Sequence, residues 1–197
     1  MIGLCAQSRM GKDTIADYIV ESKKNWEKWS FAKELKNVVV DFFSVSIEDI
    51  EEYKTREDIH PNVQLKMRSL LQLIGETFRN VSEDVWINAA MRNIPKNKNI
   101  IFTDVRHANE MDAILSKQGH LILLGRSKYL NQDPHPSESG LQEAIVWFLE
   151  NTSEDLVFVE NVESVPSEFR KFLCFIRNDS SMSELQKNVD IVLSKLK

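Results

Sequence analysis

"AQSRMGKDT", residues 6–14, stands between a short apolar run, "MIGLCA" at 1–6, and the segment "GKDTIADYIVESKK", whose Ile15, Ala16, Ile19 and Val20 recur at helical spacing. The apolar run reads as a strand buried on both faces. The segment after the loop reads as an amphipathic helix with Asp13 in its first turn, where the helix dipole favours an acid. Strand, glycine-bearing loop and helix are the setting of a phosphate-binding loop, in which backbone N–H groups, a helix start and one lysine converge on phosphate oxygens. The spelling departs from G-x-x-x-x-G-K-[ST] twice: Ala6 replaces the first glycine, and Asp13 replaces the hydroxyl residue, which comes one position later as Thr14. Ala6 costs little where φ stays negative. Asp13 repels phosphate unless it faces water or Mg2+. On this stretch alone, a helix start carrying an incidental lysine remains the alternative.

Outward from the loop, "WEKWSFA" reads as a short strand, and "AKELKNVVVDFF" as a helix with Leu35, Val38, Val39 and Phe42 inward. The polar stretch from 44 to 66, ending near Pro61, reads as a mobile or substrate-covering excursion. Helical periodicity returns in "QLKMRSLLQLIGETFR" and in "SEDVWINAAMRNI", the latter opening at a Ser82 cap. "KNIIFTDVR" is a strand that ends on Asp104. "NEMDAILSKQG" is a helix stopped by Gly119, and "HLILLGR" is a further buried strand. Strands alternating with helices in this way predict an α/β domain with a central parallel sheet flanked by helices. Beyond a second turn-rich segment at 126–141, "QEAIVWFLEN" reads as a helix, "DLVFVENV" as a strand, "EFRKFLCFIRN" as helix then strand, and "SSMSELQKNVDIVLSKL" as a Ser-capped helix. The apolar "AIVWFL" is either a dimer face or a core helix.

The 197 residues suit one domain over 1–197, with 44–66 and 126–141 as covering segments and 142–171 unassigned. No apolar run reaches the roughly 18 residues of a membrane span, and the N-terminus lacks the layout of a signal or transit peptide, which predicts a cytoplasmic protein whose fold starts near Met1. Cys5 and Cys174, each in an apolar run, read as buried free thiols. A net charge of −5 with no dominant Lys/Arg block argues against nucleic acid as a partner but leaves small anions open. His60, His107 and His120 lack ligand spacing and read as surface residues.

Six segments together resemble the bacteriophage deoxynucleoside monophosphate kinases, a P-loop family related in fold to adenylate kinase. They are "GKDTIADYI" at 11–19, "SFAKELK" at 30–36, "MRSLLQLIGET" at 67–77, "DVRHANEMDAI" at 104–114, "HPSESGL" at 135–141 and "FIRNDSSMSEL" at 175–185, in the family's order. The 36–66 region is shorter than that family's covering insertion, and 142–171 has no counterpart. The resemblance implies an adenylate-kinase-like fold and transfer of the ATP γ-phosphate to a nucleoside monophosphate, with ATP and Mg2+ as cofactors. It implies that Lys12 and the backbone from Ser8 through Met10 and Gly11 to Thr14 hold the ATP phosphates, with Arg9 and the lid arginine Arg126 on the transferring oxygens. Asp13, Thr14 and Asp104 would serve Mg2+, and Asn178 the adenine. Lys33, Lys36, Arg68 and Arg106 would bind the acceptor's phosphate, and Gln72 and Trp86 its base. His135 and Glu138 match a family motif without a physical role attached. Each has a plainer alternative: Asp104 a helix cap, Trp86 core packing, Lys33 and Lys36 a solvated face, Arg126 a surface ion pair.

Two rival functions stay open. Dephospho-coenzyme A kinases share the loop, a "DVR"-like strand end and a terminal Asn, but phosphorylate a hydroxyl and so need a base, for which Asp13 is available. A nucleotide-binding module without catalysis is the other.

Overall fold

The computed structural model describes residues 1–56, 58–129 and 139–196. By its contacts the chain divides into two compact units: Met1–Trp29 with Pro95–Lys197, and Ser30–Ile94.

The first unit is built on a six-stranded sheet of order β2-β3-β1-β4-β6-β5. Its strands are β1 (Ile2–Cys5), β2 (Trp26–Trp29), β3 (Asn99–Val105), β4 (His120–Gly125), β5 (Leu156–Phe158) and β6 (Cys174–Arg177). All neighbours run parallel except β5, which pairs antiparallel with β6 at the edge. Every residue of β1 is buried, as the continuous apolar run requires of a central parallel strand. The helices of this unit are α1 (Lys12–Ser22), α6 (Ala108–Ser116), α7 (Ser139–Asn151) and α8 (Met182–Lys195), α1 burying Ile15, Ala16 and Ile19. The α/β architecture with a mostly parallel sheet is therefore as expected. The chain leaves β1 toward β2 on one side and leaves β3 toward β4 on the other. The carboxyl ends of the adjacent strands β1 and β3 thus form a topological switch point, where open α/β sheets take their ligands.

The second unit holds α2 (Lys33–Phe43), α3 (Ile47–Arg56), α4 (Met67–Val81) and α5 (Val85–Arg92) around Val39, Val45, Ile50, Val63, Met67 and Leu70.

Several expectations need correction. The 44–66 excursion, for which no helix was expected, contains α3, started by a reciprocal cap in which Ser46 Oγ accepts from the Asp49 N–H at 3.0 Å and the Asp49 carboxylate accepts from the Ser46 N–H at 2.9 Å. Those two bonds satisfy backbone donors that water would otherwise take, and the Ser46 N–H together with the Ser46 hydroxyl, which also donates to the carboxylate at 2.9 Å, holds the Asp49 carboxyl below its ordinary pKa. His60 is buried, its ring edge-on to Tyr53 at 4.5 Å and its Nδ1 accepting from the Asn62 N–H at 3.2 Å. Phe42 is 81% exposed rather than inward. Ser82 closes α4 instead of opening α5, whose N-cap is Asp84. Helix α6 is capped by His107 with Glu110, not by Asp104, and ends at Ser116 with Gln118 in the left-handed turn (φ +57°). Gly119 serves close approach: a Cβ there would lie 2.8 Å from the Ile114 carbonyl oxygen. In "AIVWFL", Ala144, Ile145 and Phe148 are core, Phe148 stacking on Phe175 at 5.1 Å. Both cysteines are buried free thiols, Cys5 pushed well up in pKa by burial and Cys174 to about 12.

Candidate functional site

Between β1 and α1, residues 6–11 form a loop held by alternation: Ala6, Gln7 and Met10 point into the core, while Ser8 and Arg9 are exposed. Ala6 keeps a negative φ, so the missing glycine costs nothing there, and the left-handed positions are Arg9 (φ +65°) and Gly11 (φ +96°). At Arg9 that conformation costs about 1–2 kcal/mol, which the surrounding loop must hold in place. Gly11 is the N-cap of α1 and brings no capping side chain, so the first-turn N–H groups of the helix are presented at the loop.

The loop opens on a cleft of about 360 Å3. One wall carries Arg9, Gly11, Lys12, Asp13 and Thr14; the rest is formed by Arg126 after β4, and by Asn178, Ser180, Met182 and Leu185 between β6 and α8. Three cations face one carboxylate there, in a chain whose net charge is −5. A helix start with converging cations in an otherwise acidic protein is chemistry for a polyanion the size of a di- or triphosphate. The Arg126 guanidinium lies 5.4 Å from the centre of the Tyr129 ring. Asn178 donates its side-chain N–H to the Met10 carbonyl at 3.0 Å, within the loop itself. Another cavity, of about 340 Å3, lies by the start of β4 at the amino end of the sheet, where no such helix start converges.

Asp104 and Arg106 sit at the carboxyl end of β3, beside β1, whose Cys5 pairs with Val105. The backbone here is fixed by Glu110, a buried carboxylate accepting from the N–H groups of Arg106 (2.8 Å) and His107 (3.0 Å). Among the described residues no three His, Cys, Asp or Glu side chains gather as a metal cluster. A magnesium nucleotide needs less, since one or two carboxylates plus phosphate oxygens hold that ion, and Asp13 with Thr14 in the cleft fits in kind.

In the second unit, α3 brings two predicted residues together. Lys36 pairs with Glu51 at 2.6 Å, Lys54 pairs with the same carboxylate at 2.9 Å, and Arg68 Nε donates to the Lys54 carbonyl at 3.2 Å. Burial raises the Glu51 pKa, but the hydrogen bonds from Lys36 and Lys54 outweigh it and leave the carboxyl below its ordinary value. Lys33 and Gln72 are exposed. Trp86 corrects the stacking expectation: it is 5% exposed, its Nε1 donates to the Gly75 carbonyl at 3.1 Å, and its ring packs 5.3 Å from Phe78, so it is a core residue. His135 and Glu138 lie outside the described residues, as does most of 126–141.

Sequence reasoning missed Ser180, Met182, Leu185 and Lys54. The first three fall within the seven residues after "RN" at 177–178 and were readable only as a capped helix start; Lys54 was hidden with α3, although S-x-x-D at Ser46–Asp49 signals that helix.

No protein-family model matches the chain. It is 28% identical over 203 residues to a protein of Acanthamoeba polyphaga mimivirus provisionally named a deoxynucleotide monophosphate kinase, covering 93% of this chain and 99% of that protein. Dephospho-CoA kinase from Campylobacter jejuni superposes on 99% of this chain and 96% of its own, at 12% identity and a TM-score of 0.49. No helix among the described residues is long and apolar enough to cross a membrane.

Proposed function

We propose that this chain is an ATP-dependent kinase that phosphorylates a deoxynucleoside 5′-monophosphate to the diphosphate. The observation that carries the reading is the cleft at the carboxyl edge of the sheet, where a glycine-capped helix start meets Arg9, Lys12 and Arg126. The six motifs and the likeness to a protein named for that activity support the choice of acceptor.

In this reading the loop N–H groups and Lys12 hold the β- and γ-phosphates of ATP, with Arg9 and Arg126 over the transferring oxygens. Asp13, Thr14 and Asp104 would hold Mg2+, which when bound neutralises charge on the polyphosphate. The cations of the second unit, Lys36 and Arg68 with Lys54 added, suit a phosphate monoester, as does Arg106 at the end of β3. An acceptor phosphate with a second pKa near about 6 is largely a dianion at neutral pH and needs no general base. Catalysis then consists of holding two polyanions in line and balancing the charge spread over the transferred group.

The test is ADP formation from Mg-ATP with a panel of deoxynucleoside and ribonucleoside monophosphates and dephospho-coenzyme A, with Lys12→Ala as control. Turnover on a deoxynucleoside monophosphate, reduced by about three decades or more in the control, is expected. Turnover on dephospho-coenzyme A alone would replace the acceptor. ATP binding with no transfer to any acceptor would refute catalysis.

A further inference from the structure

Arg177, which ends β6, and the three residues after it are each fastened to the first unit. The Arg177 guanidinium donates to the carbonyls of Leu149 (3.1 Å) and Thr152 (2.5 Å) at the end of α7. The Asn178 backbone N–H donates to the Gly125 carbonyl at 2.8 Å, where β4 ends. Asp179 accepts from Ser127, at 2.9 Å from its N–H and 2.5 Å from its hydroxyl, and the Ser180 hydroxyl donates to Asp155. From this anchored stretch the Asn178 side chain reaches the phosphate-binding loop, on the Met10 carbonyl. The same carboxamide occupies the space a Cβ at Gly11 would take.

We infer that Asn178 is a positioning residue that holds the Met10–Gly11 peptide in its phosphate-binding orientation. A peptide is planar, so fixing its carbonyl also fixes its N–H. The peptide before a glycine is the one that rotates at least cost, because glycine accepts φ of either sign. Rotated by half a turn, it would offer bound phosphates a carbonyl oxygen in place of a donor. Only the amide nitrogen of Asn178 can serve a carbonyl acceptor, so the contact has a defined sense. The inference rests on the phosphate-binding reading above and gives Asn178 a different task from contacting adenine.

The two tasks separate when the base is removed from the ligand. Calorimetric titration of the wild type, Asn178→Ala and Asn178→Asp with ATP and with inorganic tripolyphosphate is the experiment, accompanied by hydrogen exchange of the ligand-free proteins. The expected result is that Asn178→Ala weakens both ligands by the same factor, about fivefold for one hydrogen bond. Exchange should rise in the peptide covering residues 6–14 and nowhere else. Asn178→Asp, which keeps the shape but cannot donate when ionised, should raise exchange in the same peptide. Loss of ATP affinity with tripolyphosphate affinity intact would overturn the inference in favour of base contact, and unchanged or globally raised exchange would overturn it as well. Failure of the wild type to bind either polyphosphate would instead remove the phosphate-binding reading, and the inference with it.

Discussion

Gly11→Ala puts the loop's geometry to a quantitative test. At φ +96° an alanine pays the left-handed penalty of about 1–2 kcal/mol, and its Cβ is driven into the Asn178 carboxamide, breaking the bond to Met10 at a further cost of about 1 kcal/mol. The substitution should therefore destabilise by about 2–3 kcal/mol in urea unfolding, with the slope against denaturant unchanged. The second part of that cost depends on Asn178 being present. In an Asn178→Ala background the Cβ has room and the hydrogen bond is already gone, so only the backbone penalty remains. The double variant should be about 1 kcal/mol more stable than the two single costs predict when added. Strict additivity within about 0.3 kcal/mol would refute the claim that Gly11 and Asn178 share one contact.

Four further outcomes are expected from the packing. Trp86→Phe, which deprives the Gly75 carbonyl of its donor, should lower stability by about 1–2 kcal/mol and leave the acceptor KM unchanged in steady-state assays. Cys5 and Cys174 should react with an aromatic disulfide reagent only as fast as the protein opens. Because burial raises the Cys174 pKa from 9.0 to about 12, its contribution to stability is whole below pH 9 and is lost as pH rises toward 12; Cys174→Ala should flatten the alkaline limb of a urea-stability profile. Asp190 forms an ion pair with Lys23 (2.7 Å) and accepts a hydrogen bond from Tyr18 (2.8 Å), and these contacts lower its pKa from 3.8. Its contribution is present above that value and disappears as pH falls through the lowered folded one, so the thermal midpoints of wild type and Asp190→Asn should converge as the pH is taken down from 3.8.

The central strands were readable because a strand buried on both faces has to be apolar throughout: "IGLC" and "LILL" leave little else to be. Helix α3 was not, since most of its residues are charged or polar and the nearby Pro61 suggested a loop. What makes it a helix is the Ser46 cap together with Ile50, its one buried side chain, packed among residues from α2 and α4. Strand β5 has three residues and takes its antiparallel direction from β6, a partner that local periodicity cannot name. In the cleft, Lys12 and Arg9 were legible from the strand, loop and helix around them, and Arg126 from its place at a strand end. Asn178 was legible as a position and not as a role, because its bond to Met10 joins residues 168 apart.

The place of β1 has a consequence for the chain as it is made. Both strands that pair with β1 come late: β3 starts at Asn99 and β4 at His120. At a synthesis rate of about 5–20 residues per second, the apolar "IGLC" waits roughly 5–20 s before its first neighbour exists. In that interval the contiguous segment Ser30–Ile94 already possesses its own helical core, while the strand at the heart of the molecule is an unpaired edge. Nascent chains stopped before residue 99 should thus be the form in which this protein most needs a chaperone, with its first strand as the segment recognised.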